Sequence, residues 1–141
     1  MKLWRWITRA FRPWAGRQKK EPEHLRRGRL GEAAAARELR SRGFRYLTAN
    51  YRSAHGEIDL IFRDADCLVF VEVKTRSSED WGRPAAAVDA GKRHRLSLTA
   101  ADYLGRLEDS RVKWRFDVAE VLLADGEVRE VRIITNAFEG G

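Results

Sequence analysis

Asp59, Glu72 and Lys74 are three charged residues within two largely apolar segments in the middle of the chain. These segments, residues 57–62 and 67–74, are predicted as β-strands because they are rich in β-branched and aromatic residues. Side chains alternate between the faces of a strand, so Glu72 and Lys74 share one face. The opposite face carries three valines, Val69, Val71 and Val73. Two charges on one face of a core strand indicate a chemical role.

The spacing of the two segments brings a second acid opposite Glu72. If residues 63–68 form an even-length hairpin loop, cross-strand partners have numbers that sum to 131, which places Asp59 opposite Glu72 and Glu57 opposite Lys74. Directly opposed Cβ atoms lie about 5 Å apart. Two carboxylates at that distance repel each other unless a proton or a cation lies between them. Mg²⁺ and Mn²⁺ are hard cations that prefer oxygen ligands, so the sequence predicts a metal site.

Lys74 adds a group that phosphodiester hydrolysis requires. That reaction needs a metal-activated water, a metal-neutralised phosphate and a cation near the attacking water or the scissile oxygen. Only three of the eighteen basic residues after position 29 are lysines, and a lysine supplies a compact point charge. The backbone carbonyl of Val73 is expected to add a metal ligand. A second interpretation stays open, because Asp59, Glu72 and Lys74 could instead form a salt-bridge ladder on a half-exposed sheet.

The elements that must position these residues follow from periodicity and turn signals. Residues 24–42 are rich in Ala, Leu, Arg and Glu and end at Gly43, which predicts a helix. Residues 85–105 have helical spacing of apolar residues. Asp125-Gly126 predicts a hairpin between the last two strands. Strands are predicted at 44–52, 57–62, 67–74, 112–123 and 127–134, which gives the order αβββαββ and an α/β fold with a mixed sheet.

Composition excludes several classes of protein. The 141 residues are 43% hydrophobic and 35% charged, which is typical of one globular domain and too short for a two-domain enzyme. The single cysteine, Cys67, cannot form an intrachain disulfide. No apolar run approaches the roughly 20 residues that cross a bilayer, and charges interrupt the first 20 residues, so no signal peptide is predicted. We therefore expect a cytoplasmic protein.

The positive charge is concentrated at the amino terminus. Residues 1–29 have a net charge of +8, whereas residues 30–141 have a net charge of −1. Trp4, Ile7, Phe11 and Trp14 would share one helical face within this basic segment. Residues 1–23 are therefore interpreted as an arm that meets nucleic acid or an anionic membrane surface, ahead of a domain at residues 24–138. The alternative is a terminal tail whose aromatic side chains pack on that domain.

A family resemblance supports the metal site. Asp59, twelve intervening residues and then Glu72-Val73-Lys74 resemble the PD-(D/E)xK nuclease signature without its leading proline. Residues 28–134 resemble the bacterial YraN-like family. The residues that carry the resemblance are Arg29-Leu30-Gly31-Glu32, Asn50-Tyr51-Arg52, Gly56-Glu57-Ile58-Asp59-Leu60, Phe70-Val71-Glu72-Val73-Lys74-Thr75-Arg76, Ala87-Val88, Lys92 and Arg115-Phe116-Asp117.

The resemblance implies a restriction-endonuclease-like fold related to archaeal Holliday-junction resolvases. It also implies catalytic roles for Asp59, Glu72 and Lys74, with Glu32 as a helix-borne acid that supports the metal site. The implied activity is hydrolysis of DNA, including branched or damaged structures, and a homodimer would allow two strands to be cut symmetrically.

Other residues receive smaller roles. Lys92 and Arg93 at the start of the second helix are candidates for phosphate contacts, although the pattern slightly favours a solvated helical face. Arg52 and Arg76 complete the expected nucleic-acid contacts. Asp117 is interpreted as a structural partner of Arg115 or Lys113, and Cys67 as a small core residue. The alternative function is a non-catalytic nucleic-acid-binding or membrane-associated adaptor on the same fold. An adaptor has no need of Mg²⁺ or Mn²⁺, whereas the nuclease does.

Overall fold

The structure, a computed structural model, describes residues 19–78, 81, 88–109 and 111–140. The aromatic face expected in the arm and residues 85–87 of the second expected helix lie outside these ranges. Within them the chain forms two helices and five strands. Their bounds are α1 Glu23–Ser41, β1 Arg45–Ser53, β2 Gly56–Asp64, β3 Cys67–Ser77, α2 Ala90–Leu104, β4 Lys113–Ala124 and β5 Glu127–Phe138.

The five strands form one mixed sheet in the order β1-β2-β3-β4-β5. Strands β3 and β4 are parallel, whereas the other neighbours are antiparallel. Parallel neighbours need a crossover connection, and α2 lies in the connection between β3 and β4. The predicted α/β class and the order αβββαββ are confirmed. Neither helix in the described ranges is long and apolar enough to span a bilayer.

One apolar cluster lies on each face of the sheet, and each cluster includes side chains from one of the two helices. Helix α1 contributes Ala34, Ala35 and Leu39 to a cluster with Leu60, Phe62, Val69, Val71, Ala119 and Val121. Helix α2 contributes Leu96 and Ala100 to a second cluster with Ile58, Ile61, Val88, Phe70, Phe116 and Val118. Strands β2, β3 and β4 supply residues to both clusters, so their central segments are buried on both faces.

Local signals set several of the element ends. Gly43 has a φ of 88° just after α1, which is the left-handed conformation common at helix ends. Asp125 and Gly126 have φ angles of 53° and 74° and form the tight turn of the β4–β5 hairpin. The β2–β3 loop is shorter than the expected six residues. Strand pairing continues to Asp64 and Cys67 and leaves a two-residue turn.

Candidate active site

The alternation of side chains along β2 breaks at Asp59. Ile58 packs in the cluster on the α2 face, whereas Leu60 packs in the cluster on the α1 face. Residues two apart in a regular strand share a face, so the chain must twist between them. The neighbouring strand β1 shows the same break, since Asn50 has a φ of 51° between Ala49 and Tyr51, which pack on opposite faces. Asp59 therefore departs from the regular pleat.

This break ends the pairing of β2 with β3. The cross-strand pairs run from Asp64 with Cys67 to Leu60 with Val71, and their numbers sum to 131 as expected. At the next residue, the Asp59 side chain replaces the β2 backbone as the hydrogen-bond acceptor for β3. Its Oδ2 accepts the Val73 N–H at 2.8 Å. The predicted register is therefore correct, but the ladder stops one residue short of Asp59.

The predicted pairing of Glu57 with Lys74 is wrong. Glu57 instead pairs with Arg52 on β1, whose Nε lies 2.9 Å from Glu57 Oε2. The reason is that β2 follows β1 to the end of both strands but has separated from β3 at Asp59.

The carboxyl groups of Asp59 and Glu72 are nevertheless neighbours, and they are called the acidic pair below. Burial and the charge of Glu72 raise the pKa of Asp59 to about 7, with a smaller contribution from Glu32. The Val73 N–H acts in the opposite direction because it stabilises the carboxylate. A hydrogen bond with Glu72 also raises this pKa, since one partner must carry the shared proton. The acidic pair thus holds negative charge that a proton or cation would relieve.

Lys92 provides a positive partner for the acidic pair. Its Nζ contacts Glu72 Oε1, so the first turn of α2 reaches the middle of β3. The Glu72 side chain is only 8% exposed, whereas that of Lys92 is 41% exposed. The sequence prediction assigned Lys92 to phosphate contacts and missed this ion pair. An available signal was Asp89, whose carboxylate caps α2 at the N–H of Lys92 and so fixes Lys92 in the first turn.

Lys74 is half-buried two residues beyond Glu72 on β3. Burial lowers its pKa, and the positive charges of Arg76 and Lys92 lower it further. Glu120 on β4 is its parallel-strand partner, and this buried acid also lies 3.1 Å from Arg76 Nε. Sequence reasoning missed Glu120, although an acid within the otherwise apolar run from 118 to 123 was a usable signal.

Helix α1 brings Glu32 to the same region. A Cβ atom at Gly31 would lie 2.1 Å from Thr75 Oγ1, so only glycine permits this close approach of α1 to β3. Burial raises the pKa of Glu32, and the charges of Glu57 and Glu72 raise it further, while a hydrogen bond with the Asn50 side chain lowers it. Asn50 therefore links the break in β1 to the acid on α1, a role that the sequence did not reveal.

The acidic pair has the donor chemistry of a site for a hard divalent cation. Its ligands would be carboxylate oxygens, and the raised pKa of Asp59 and the Lys92 contact are both signs of excess negative charge. In the described ranges, no three His, Cys, Asp or Glu side chains are close enough together to hold a metal ion. The residues present therefore offer such a cation the two carboxyl groups of the acidic pair.

Three of the four expected nucleic-acid contacts already face acids. Arg52 pairs with Glu57 and keeps 78% of its side chain exposed, whereas Arg76 is 12% exposed beside Glu120. Lys92 pairs with Glu72. Arg93 is exposed on α2. These positions differ widely in how open they are to a ligand.

The two smaller structural expectations concern the opposite half of the sheet. Asp117 is fully buried and pairs with Arg115, whose Nε lies 3.0 Å from Asp117 Oδ1. Lys113 pairs with Asp66 instead. Cys67 is partly buried, and burial raises the pKa of its thiol, which makes the thiolate scarcer.

The chain resembles a set of bacterial proteins over most of its length. A family model described as "Uncharacterised protein family UPF0102" matches residues 31–121, which include Glu32 and the acidic pair. A UPF0102 protein of Symbiobacterium thermophilum is 48% identical over 112 residues, which are 79% of this chain and 94% of the relative. A UPF0102 protein of Moorella thermoacetica is 46% identical over 114 residues, which are 80% of this chain and 95% of the relative. The predicted resemblance is confirmed, and the chain belongs to the UPF0102, or YraN-like, family.

Proposed function

We propose that this protein is a metal-dependent nuclease that hydrolyses phosphodiester bonds in DNA, including branched or damaged structures. The observation that carries the proposal is the acidic pair. The sheet opens at Asp59 and leaves two carboxyl groups side by side, one of them with its pKa raised to about 7. Perturbed pKa values of this kind cluster at functional sites, and a divalent cation would relieve the repulsion between the two carboxylates.

The proposal gives each residue a distinct role. Asp59 and Glu72 would hold Mg²⁺ or Mn²⁺ together with the Val73 carbonyl, and the Val73 N–H fixes the Asp59 side chain. The bound ion would neutralise the phosphate and lower the pKa of a water molecule. Lys74 would stabilise the charge that develops on the phosphate. Glu32 would steady the site from α1.

Charge supports a polyanionic substrate. The net charge of +8 in residues 1–29 favours contact with a phosphate backbone, independent of base sequence. The exposed side chains of Arg52 and Arg93 offer further positive charge. A nuclease needs such charge because its own carboxylates repel the substrate.

A cleavage assay tests the proposal directly. Purified protein is incubated with linear, flapped and four-way DNA in Mg²⁺ or Mn²⁺, alongside Asp59→Asn and Glu72→Gln variants. We expect the wild type to cut at least one substrate and both variants to be inactive. Equal cleavage by wild type and variants would assign the activity to a contaminant. No cleavage of any substrate, with no binding of metal, would overturn the nuclease proposal.

A non-catalytic adaptor that binds nucleic acid or a membrane surface is the second candidate. The Lys92–Glu72 ion pair favours it, because an ammonium already neutralises one of the two carboxylates. Affinity would then depend on the basic arm. Deleting residues 1–20 should weaken DNA binding and flatten its salt dependence if the arm contacts phosphates. Unchanged DNA binding together with lost binding to anionic liposomes would instead identify a membrane adaptor.

A further inference from the structure

Lys92 connects helix α2 to the acidic pair. In this contact Glu72 is buried and Lys92 is half-exposed. The Glu72 carboxylate is almost inaccessible, and the ammonium that neutralises it belongs to a side chain 41% exposed. Leaving a buried charge unpaired is strongly destabilising, so an ionised Glu72 needs a positive partner in the folded protein. That partner can be Lys92 or a metal ion.

The backbone of Lys92 is fixed while its side chain is long and flexible. The N–H of Lys92 donates to Asp89 Oδ1 at 2.9 Å, and the N–H of Arg93 donates to the Asp89 carbonyl at 2.9 Å. Leu96 and Ala100 anchor the same helix in the core. The four-carbon stem can therefore carry the ammonium away from Glu72 without any movement of α2.

We propose that Lys92 is an exchangeable counter-ion of Glu72, which neutralises this carboxylate in the metal-free protein and leaves it when a divalent cation binds the acidic pair. This inference rests on the proposed function, because it requires a metal at Asp59 and Glu72. One ammonium brings one charge to one carboxylate. A divalent cation brings two charges to two adjacent carboxylates, so it competes successfully for Glu72. Metal loading then frees a positive group at the exposed edge of the site.

Because Lys92 and the divalent cation compete for Glu72, removing the Lys92 ammonium should strengthen metal binding. Removing a residue with a purely structural role would not have this effect. Mn²⁺ affinity of the full chain is measured by titration calorimetry for the wild type, Lys92→Gln and Arg93→Gln. We expect Lys92→Gln to lower the dissociation constant about fivefold or more, because Mn²⁺ no longer has to displace an ammonium. Arg93→Gln removes the same charge from the next, exposed position and should change the constant less than about twofold.

A measurement on the unaltered chain covers the case in which Lys92→Gln does not fold. The ammonium signals of the lysines are followed by nuclear magnetic resonance during a titration with Mg²⁺. Lys92 should shift and exchange its protons with water faster as the acidic pair fills. Lys113, whose Nζ lies 3.0 Å from Asp66 Oδ2 in an exposed pair, is the internal reference and should not change.

The outcomes separate this inference from the function on which it rests. Mn²⁺ binding with the same or a weaker affinity in Lys92→Gln, or a Lys92 signal that stays constant while Mg²⁺ saturates the protein, overturns the exchange and leaves the nuclease proposal intact. No Mn²⁺ binding by either the wild type or Lys92→Gln overturns the metal-dependent function, and the exchange with it.

Discussion

Asp117 and Asp59 are both acids of central strands, but their surroundings neutralise them in different ways. Asp117 belongs to the arginine cluster, defined as Asp64, Arg115 and Asp117. Its carboxylate is fully buried and accepts hydrogen bonds from Arg115 Nε at 3.0 Å and from the Asn136 N–H at 2.9 Å. Arg115 also reaches Asp64 at 3.1 Å. Each charge in the arginine cluster therefore has a partner of opposite sign.

The acidic pair differs from the arginine cluster because its two carboxyl groups lie next to each other and not on either side of a positive group. Glu72 and Glu32 both raise the pKa of Asp59. Lys92 contacts Glu72 from the half-exposed side. The fold itself pairs every charge of the arginine cluster, whereas in the acidic pair two carboxyl groups lie side by side. The comparison indicates that the arrangement of charges, more than their burial, separates a structural cluster from a candidate site.

The arginine cluster should show the largest effect on stability. Asp117→Ala leaves the Arg115 guanidinium, which is 19% exposed, without its closest partner and the Asn136 N–H without an acceptor. We expect the free energy of unfolding to fall by about 3–5 kcal/mol in urea denaturation. Asp66→Ala is the control, since it breaks an exposed pair with Lys113 and should cost less than about 1 kcal/mol. Similar losses in both variants would contradict a structural role specific to the arginine cluster.

Lys74→Ala should affect turnover more than folding or substrate affinity. Because Lys74 is proposed to act on charge that develops in the transition state, we expect cleavage to slow by ~10²-fold or more with DNA affinity nearly unchanged. Lys113→Ala removes an exposed lysine from the other end of the sheet and serves as the control. Equal losses of affinity and rate in Lys74→Ala would make Lys74 an ordinary phosphate contact.

Local signals predicted the elements of the fold but not all of their ends. Gly43 and Asp125-Gly126 stop or turn the chain through their own backbone conformations, so their effects were visible in the sequence. Strand β3 continues three residues past its predicted end at Lys74. It does so because it pairs with β4 as far as Ser77, and that pairing depends on residues about 45 positions away.

The candidate site was only partly predictable for a similar reason. Asp59 and Glu72 lie equally far from the β2–β3 turn in sequence. This symmetry predicted the correct register, which brings the two acids together. The break at Asp59 involves Asn50 on another strand, and the Lys92 contact depends on how α2 packs against the sheet. Neither can be inferred from periodicity, because periodicity describes one element at a time.

Metal should stabilise the acidic pair and leave the arginine cluster unaffected. At a Mn²⁺ concentration 100 times the dissociation constant, binding adds about 2.7 kcal/mol to the free energy of unfolding, which corresponds to a rise in Tm of roughly 5–10 °C. Asp59→Asn and Glu72→Gln should abolish this rise. Calorimetric scans with and without Mn²⁺ measure it, and a wild type indifferent to Mn²⁺ would identify the acidic pair as a structural element.

The last effect concerns pH. Asp59 has a pKa of about 7 in the folded protein and about 4 in the unfolded chain, so the folded state binds the proton more tightly. The stabilisation from this proton is complete below about pH 4 and is lost as pH rises through 7. Without divalent metal, the free energy of unfolding should therefore fall across this interval, by up to about 4 kcal/mol from Asp59.

Asp59→Asn isolates this contribution from the other acids, because it keeps the size of the side chain and removes its titration. Other carboxylates, such as Asp66 beside Lys113, have lowered pKa values and give stability the opposite dependence on pH. The difference between wild type and Asp59→Asn cancels them. We expect Asp59→Asn to be as stable as the wild type near pH 4 and more stable at pH 8. A constant difference across this range would mean that Asp59 titrates normally and that the acidic pair is neutralised within the fold, as Asp117 is.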